Sequence, residues 1–252
     1  MDPSDLTPVA QDYLKVIWSA TEWGDPPITT SELAARFGTS APNVTDTVKR
    51  LAAQGLVDYR PYRPVALTPR GRDYAVAMVR RHRLLEAFLV ATLGYSWEEV
   101  HDEAERLEHA ASDALVQRID AVLGHPDRDP HGDPIPSADG RVHRPEGVLR
   151  LGAAAPGTYE VLRLSDADPG RLERFRRHRL TPGAVVEVLH RSADAVTIRA
   201  GAPVGSGEPD DGPGTPAAGT VAPGAEAVVA GADAAGVLLR PVGGSGGEPT
   251  GA

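Results

Sequence analysis

Apolar positions along this 252-residue chain change period partway through. In the first third they recur every three to four residues, as Leu14, Ile17 and Trp18 within 12–23 and as Val44, Val48 and Leu51 after Ser40. That spacing stacks side chains on one face of a helix. Gly24-Asp25-Pro26-Pro27 breaks the first helix. Thr29 with Glu32 three residues on has the form of a capping box, and it opens a short helix through Phe37 that Gly38 ends. A tight turn at Gly38-Thr39-Ser40, with Ser40 as N-cap, leads into a third helix stopped at Gly55. Residues 56–59 and 65–67 then alternate around a turn rich in Pro and Arg, which predicts a two-stranded wing. Thr68-Pro69 supplies an N-cap and a first-turn proline for a long helix to about Leu93, and a further helix is predicted from Trp97 to about Leu123.

The period then shortens. Residues 124–152 are rich in Pro, Gly and Asp and carry no predicted regular structure. Short β-like runs follow at 159–164, 185–189 and 196–198, with a helical insert at 172–178, and strand character resumes at 227–229 and 236–239. Residues 201–224 are nearly all Gly, Pro, Ala, Ser, Thr, Asp and Glu, a composition that cannot bury enough apolar surface to offset its ordering entropy. They are expected to be a flexible loop, and the last ten residues a disordered tail.

Charge sharpens this division. The formal total is −9, which taken alone argues against a nucleic-acid partner. From 42 to 83, however, nine basic residues face three acidic ones, and from 86 to 113 eight acidic residues face only Arg106. A basic block beside an acidic block suggests one part that meets an anion and another that meets a cation. The absence of cysteine excludes disulfides, thiolate nucleophiles, iron–sulfur clusters and zinc ribbons. With no basic-then-apolar leader and no long uncharged apolar stretch, the chain is expected to be soluble and cytoplasmic, with no membrane partner.

The densest chemistry lies in the acidic block. His101, Glu105, Glu108 and His109 fall on one stripe of a helix, where two imidazoles and two carboxylates form either a solvated acidic face or the ligands of a divalent cation. Basic partners that usually alternate along an exposed face are nearly absent there. His82 and Glu86, one turn apart on the preceding helix, read alone as a surface hydrogen bond, and together with the other pair as part of a shared site. A di-metal hydrolase is the rival class; it needs an open metal position and a general base, and no HExxH motif is present. In the basic block, the second helix of the helix, turn and helix would turn Ser40, Pro42, Asn43, Thr45, Asp46 and Thr47 toward base edges. Lys49, Arg50, Arg60 and Arg63 are placed for phosphates.

The order of these features resembles the diphtheria toxin repressor family of metal-dependent transcriptional regulators, nearest its manganese-responsive branch. The residues that carry the resemblance are the winged helix, His82-Arg83-Leu84-Leu85-Glu86, His101-Asp102-Glu103-Ala104-Glu105, Glu108-His109 and Pro130-His131-Gly132-Asp133-Pro134-Ile135-Pro136. The resemblance implies a mainly α, multidomain homodimer that binds operator DNA and is not an enzyme with a small-molecule substrate. Its parts would be a winged helix-turn-helix at 1–72, a helical metal-binding and dimerisation domain at 73–143, and a small SH3-like β domain at 144–242 before the tail at 243–252. It also implies a primary metal site of Asp12, Glu105, Glu108 and His109. Iron-responsive members have a methionine and a cysteine at the positions of Asp12 and Glu105, and exchanging soft sulfur for hard oxygen suits Mn²⁺ over Fe²⁺ or Zn²⁺. The family's second site maps to His82, Glu86 and His101, with Asp129, His131 and Asp168 as further candidate ligands. Lys15 stands where some manganese regulators have a glutamate, which argues against a closely coupled two-manganese site using that position.

Overall fold

Thr7 caps the first helix, α1 (Pro8–Glu22), by accepting from Ala10 N, four residues earlier than the apolar spacing alone predicts. The capping box is formed as expected: Thr29 accepts from Glu32 N, and Glu32 accepts in return from Thr29 N at 2.7 Å, opening α2 (Thr30–Arg36). Ser40 caps α3 (Ala41–Ala53), and Gly38 and Gly55 take the left-handed φ that ends α2 and α3. Strands β1 (Val57–Asp58) and β2 (Ala66–Leu67) pair antiparallel as the wing. Leu14, Ile17 and Trp18 of α1 bury against Leu33, Val44, Val48, Leu51, Leu56 and Val65, so the apolar face read from spacing is the core of a winged helix.

The computed structural model describes residues 3–203, 222 and 224–242, which divide into two units. The first comprises residues 1–88, 102–127 and 135–143 and so holds the winged helix together with much of the helical segment. Here α4 (Pro69–Leu93) starts as predicted, with Thr68 accepting from Gly71 N at 3.0 Å. The single helix expected from 97 to 123 is instead two, α5 (Val100–Glu108) and α6 (Asp113–Val122). The reason is Ser112, whose hydroxyl accepts from Leu115 N and starts a new helix, leaving residues 109–112 outside both.

The second unit comprises residues 89–101, 128–134 and 144–252. Its sheet runs in the order β3, β8, β4, β5, β6, β7, with every pair antiparallel, from β3 (Leu149–Arg150), β4 (Gly157–Leu164), β5 (Ala184–Arg191), β6 (Ala195–Pro203), β7 (Glu226–Ala230) and β8 (Val237–Pro241). Alternate residues Val161, Val186, Val188, Val196, Ile198 and Val229 point inward, where Leu172 and Phe175 of α7 (Pro169–Arg177) complete the core. A short α8 (Gly231–Ala234) precedes β8. The connector has more structure than its composition predicts: Asp129 Oδ1 accepts from His131 N and Asp133 N, both at 2.9 Å, and Leu164 N donates to His131 O. Gly132 has φ +91°, and a Cβ there would lie 2.0 Å from Leu162 O, so the segment can lie against β4 only with glycine. The flexible loop expected at 201–224 falls for the most part, and the tail at 243–252 wholly, outside the described residues.

Candidate metal centre

Asp12 sits in the middle of α1, and Glu108 is the last residue of α5, so the first helix of the winged helix and the acidic helix meet at their functional side chains. A carboxylate oxygen of Asp12, one of Glu108 and a ring nitrogen of His109 lie within 4.8 Å of one another. The helix break explains how His109 joins them. Because α5 ends at Glu108, the next ring leaves the helical stripe, and its Nε2 comes 3.1 Å from Asp12 Oδ1. Its other nitrogen, Nδ1, is 2.7 Å from Gln11 Oε1. The Gln11 amide is itself oriented, since its Nε2 donates to Pro3 O at 2.7 Å and Leu6 O at 3.0 Å, which leaves only Oε1 to face the imidazole. His109 therefore donates from Nδ1, and Nε2, the nitrogen turned to Asp12, is the one placed to be a ligand. Nothing in the apolar spacing marked Gln11; its signal is only adjacency to Asp12.

Glu108 is fully buried. Its Oε1 accepts from Lys15 Nζ at 2.6 Å, and its Oε2 lies 2.6 Å from His82 Nδ1. Burial alone would raise the Glu108 carboxyl, but His82 and Lys15 hold it below the ordinary range. Burial would likewise lower His82, yet Glu86, with Oε1 2.9 Å from its Nε2, and Glu108 push it up to about 9. Burial also dominates at Asp12, whose carboxyl is raised despite His109 and Lys15.

The four residues of the expected stripe differ in their partners. Glu105 is half-exposed and stands outside the Asp12, Glu108 and His109 group, its Oε1 3.4 Å from Lys15 Nζ. His101 belongs to the second unit, where its Nδ1 is 3.3 Å from Asp166 Oδ2. Burial favours the neutral form of Asp166, but His101, His131 and Arg163 hold its carboxyl well below the ordinary range. Asp168, the further candidate ligand in the third domain, caps α7 through Gly170 N at 3.0 Å. Asp166, two residues earlier, is the carboxylate beside His101, and an offset of two in a loop is invisible to sequence spacing. Oδ1 of Asp129 accepts from the two backbone amides, and His131 Nε2 donates to Trp97 O at 2.7 Å.

On the DNA-facing candidates, α3 exposes Pro42, Asn43, Asp46, Lys49 and Arg50, which recur at helical spacing along one face. Ser40 is also exposed, with its hydroxyl engaged as the cap. Thr45 and Thr47 are half-buried: Thr45 Oγ1 donates to Ala41 O, and Thr47 Oγ1 accepts from Arg50. Arg60 and Arg63 lie in the exposed wing turn around Tyr62.

Residues 5–65 match the iron dependent repressor N-terminal DNA binding domain, and residues 68–137 match the iron dependent repressor metal binding and dimerisation domain. The chain is 39% identical over 150 residues to the iron-dependent repressor IdeR of Mycobacterium leprae, covering 60% of each. Against the diphtheria toxin repressor of Corynebacterium diphtheriae it is 39% identical over 154 residues, 61% of this chain and 66% of the relative. It thus spans about 60% of the length of the curated relatives it matches. Among solved structures, a manganese-dependent transcriptional repressor in complex with manganese superposes with a TM-score of 0.80 at 44% identity, covering 92% of this chain and 100% of that one. The manganese regulator SloR gives a TM-score of 0.73 at 30% identity, covering 94% and 100%. The chain belongs to the iron-dependent repressor family, that of the diphtheria toxin repressor.

Proposed function

We propose that the protein is a manganese-dependent transcriptional repressor, a homodimer that binds operator DNA when its metal centre is loaded. The observation that carries this reading is the convergence of Asp12 from the winged helix with Glu108 and His109 from the helical segment. Their donor set of two carboxylates and one imidazole, in a half-buried to fully buried setting, fits a hard divalent cation, and the chain has no cysteine to offer a softer one. Asp12, Glu108 and His109 would hold the ion. A bound cation supplies a double positive charge that three donors share.

The residues supply the rest of the mechanism. Asp12 ties α1 to the end of α5, and α1 carries Leu14, Ile17 and Trp18 into the core that supports α3. Fixing Asp12 therefore fixes the platform under Pro42, Asn43, Asp46, Lys49 and Arg50. Gln11 holds His109 in the tautomer whose Nε2 is a ligand. Asp12, Glu108 and His109 held together around an ion would keep α1 and α3 in one arrangement, and operator affinity would rise by population shift. The parts at 1–72, 73–143 and 144–242 would be the DNA-binding, metal-binding and SH3-like domains. Some of the curated relatives, among them that of Mycobacterium leprae, bear iron in their names, which supports iron as the second reading.

The test is fluorescence anisotropy on a DNA site selected in vitro by the purified protein, titrated in parallel with Mn²⁺, Fe²⁺ and Zn²⁺. Mn²⁺ should tighten binding at the lowest free concentration, and Asp12→Ala should abolish the metal response. Activation by Fe²⁺ at lower free concentration than Mn²⁺ would establish the iron reading, and DNA binding indifferent to all three ions would refute both.

A further inference from the structure

We propose that Lys15 is a tethered counter-cation of the metal centre, which competes with the incoming ion for Glu108 and so sets the metal concentration at which the protein responds. This rests on reading Asp12, Glu108 and His109 as metal ligands. Lys15 follows Asp12 by three residues on α1, so both side chains leave the same helix face. Its ammonium is not at the surface: the residue is 8% exposed, and Nζ lies 2.6 Å from Glu108 Oε1 and 3.4 Å from Glu105 Oε1. A lysine seldom gives up its hydration unless a fully buried carboxylate replaces it.

Two consequences follow from that position. With Oε1 accepting from Lys15 and Oε2 facing His82, each oxygen of Glu108 already has one partner, so a cation entering beside Asp12 and His109 has to share Oε1 with the ammonium. The same ammonium lies 3.4 Å from Glu105 Oε1, so it faces both carboxylates of α5 that could turn to the ion. Loading the centre therefore requires the Lys15 contact to Glu108 to loosen, or the ion to bind beside a positive charge. Either raises the free metal concentration needed. A neighbouring cation shifts the proton affinity of a carboxylate by about one to three powers of ten, and its removal should alter metal affinity on a similar scale.

The experiment measures Mn²⁺ affinity of the full chain by competition with a metallochromic chelator, together with the Mn²⁺-induced rise in thermal midpoint. Lys15→Gln should bind Mn²⁺ about tenfold to a hundredfold more tightly and gain more thermal stability from the ion than the wild type does. Lys15→Arg, which keeps the charge, should stay close to wild type. A folded Lys15→Gln protein that binds Mn²⁺ no more tightly would overturn the proposal and leave Lys15 as a structural partner of Glu108. Should Lys15→Gln fail to fold, Lys15→Met, which retains the aliphatic stem, is judged by the same criterion. Asp12→Ala separates the two levels: if it binds Mn²⁺ as the wild type does, the metal-centre reading itself fails, whatever Lys15 does.

Discussion

The tautomer of His109 depends on a residue that never touches the candidate ion. Gln11 has its amide nitrogen anchored on Pro3 O and Leu6 O, and its oxygen accepts from His109 Nδ1. Outer partners of metal-binding imidazoles are worth about 10- to 100-fold in metal affinity, so Gln11→Leu should weaken Mn²⁺ binding by roughly that factor. Circular dichroism should remain that of a folded protein, and calorimetric titration checks the affinity; unchanged affinity would show that the ring is oriented by something else. At this scale the sequence was informative about residue types and silent about their aim. Asp12, Glu108 and His109 were singled out and do meet, whereas Glu105 turns toward Lys15 and Asp168 caps a helix. Carboxylates are chemically alike, and which one faces a cluster is decided by a rotamer or by two residues of loop length, neither of which leaves a periodic trace.

Elements were far more legible, because caps and turns are local. Thr29, Ser40 and Thr68 begin helices for the reason read from the sequence, a side-chain oxygen accepting a free backbone N–H. The missed break at 109–112 has the same cause: Ser112 was a cap signal inside a continuous helical period, and the apolar spacing concealed it. A second hidden constraint lies at the start of α4. Gly71 is the third residue of that helix, where alanine would ordinarily gain about 1 kcal/mol in helix propensity. A Cβ there would lie 1.8 Å from Leu56 O, a backbone atom that cannot rotate away. Overpacking of this kind costs about 1–3 kcal/mol or more, so the clash outweighs the propensity gain. Gly71→Ala should lower the thermal midpoint, and since Leu56 leads into β1, it should also lower operator affinity measured at saturating Mn²⁺. A midpoint that rises instead would mean that the joint between wing and α4 is compliant.

For the whole molecule, the total charge of −9 was the misleading quantity and its distribution the useful one. The basic block lies in the winged helix and the first turns of α4, while the acidic block supplies Glu108 of the candidate metal centre, a carboxylate that Lys15 and His82 answer. Two copies of a chain this acidic repel at long range, so a homodimer needs an apolar contact that outlasts the repulsion. α5 offers one. Glu108 on its inner side is fully buried, while Leu107 beside it is 38% exposed, and Leu115 and Val122 of α6 are exposed further still. Scattered exposed apolar residues are ordinary on any protein, but these three lie within the stretch that matches a metal binding and dimerisation domain. Leu107→Glu puts a charge where the partner would pack without touching Asp12, Glu108 or His109. The variant should sediment as a monomer at concentrations where the wild type is a dimer. Its operator affinity should fall by about two orders of magnitude or more, because two half-sites no longer bind as one linked unit. Mn²⁺ should still raise its thermal midpoint, since the donors belong to a single chain. A Leu107→Glu protein that stays dimeric would move the interface off this face of α5, and one that loses the Mn²⁺ effect along with the dimer would show that the metal centre is completed only by assembly.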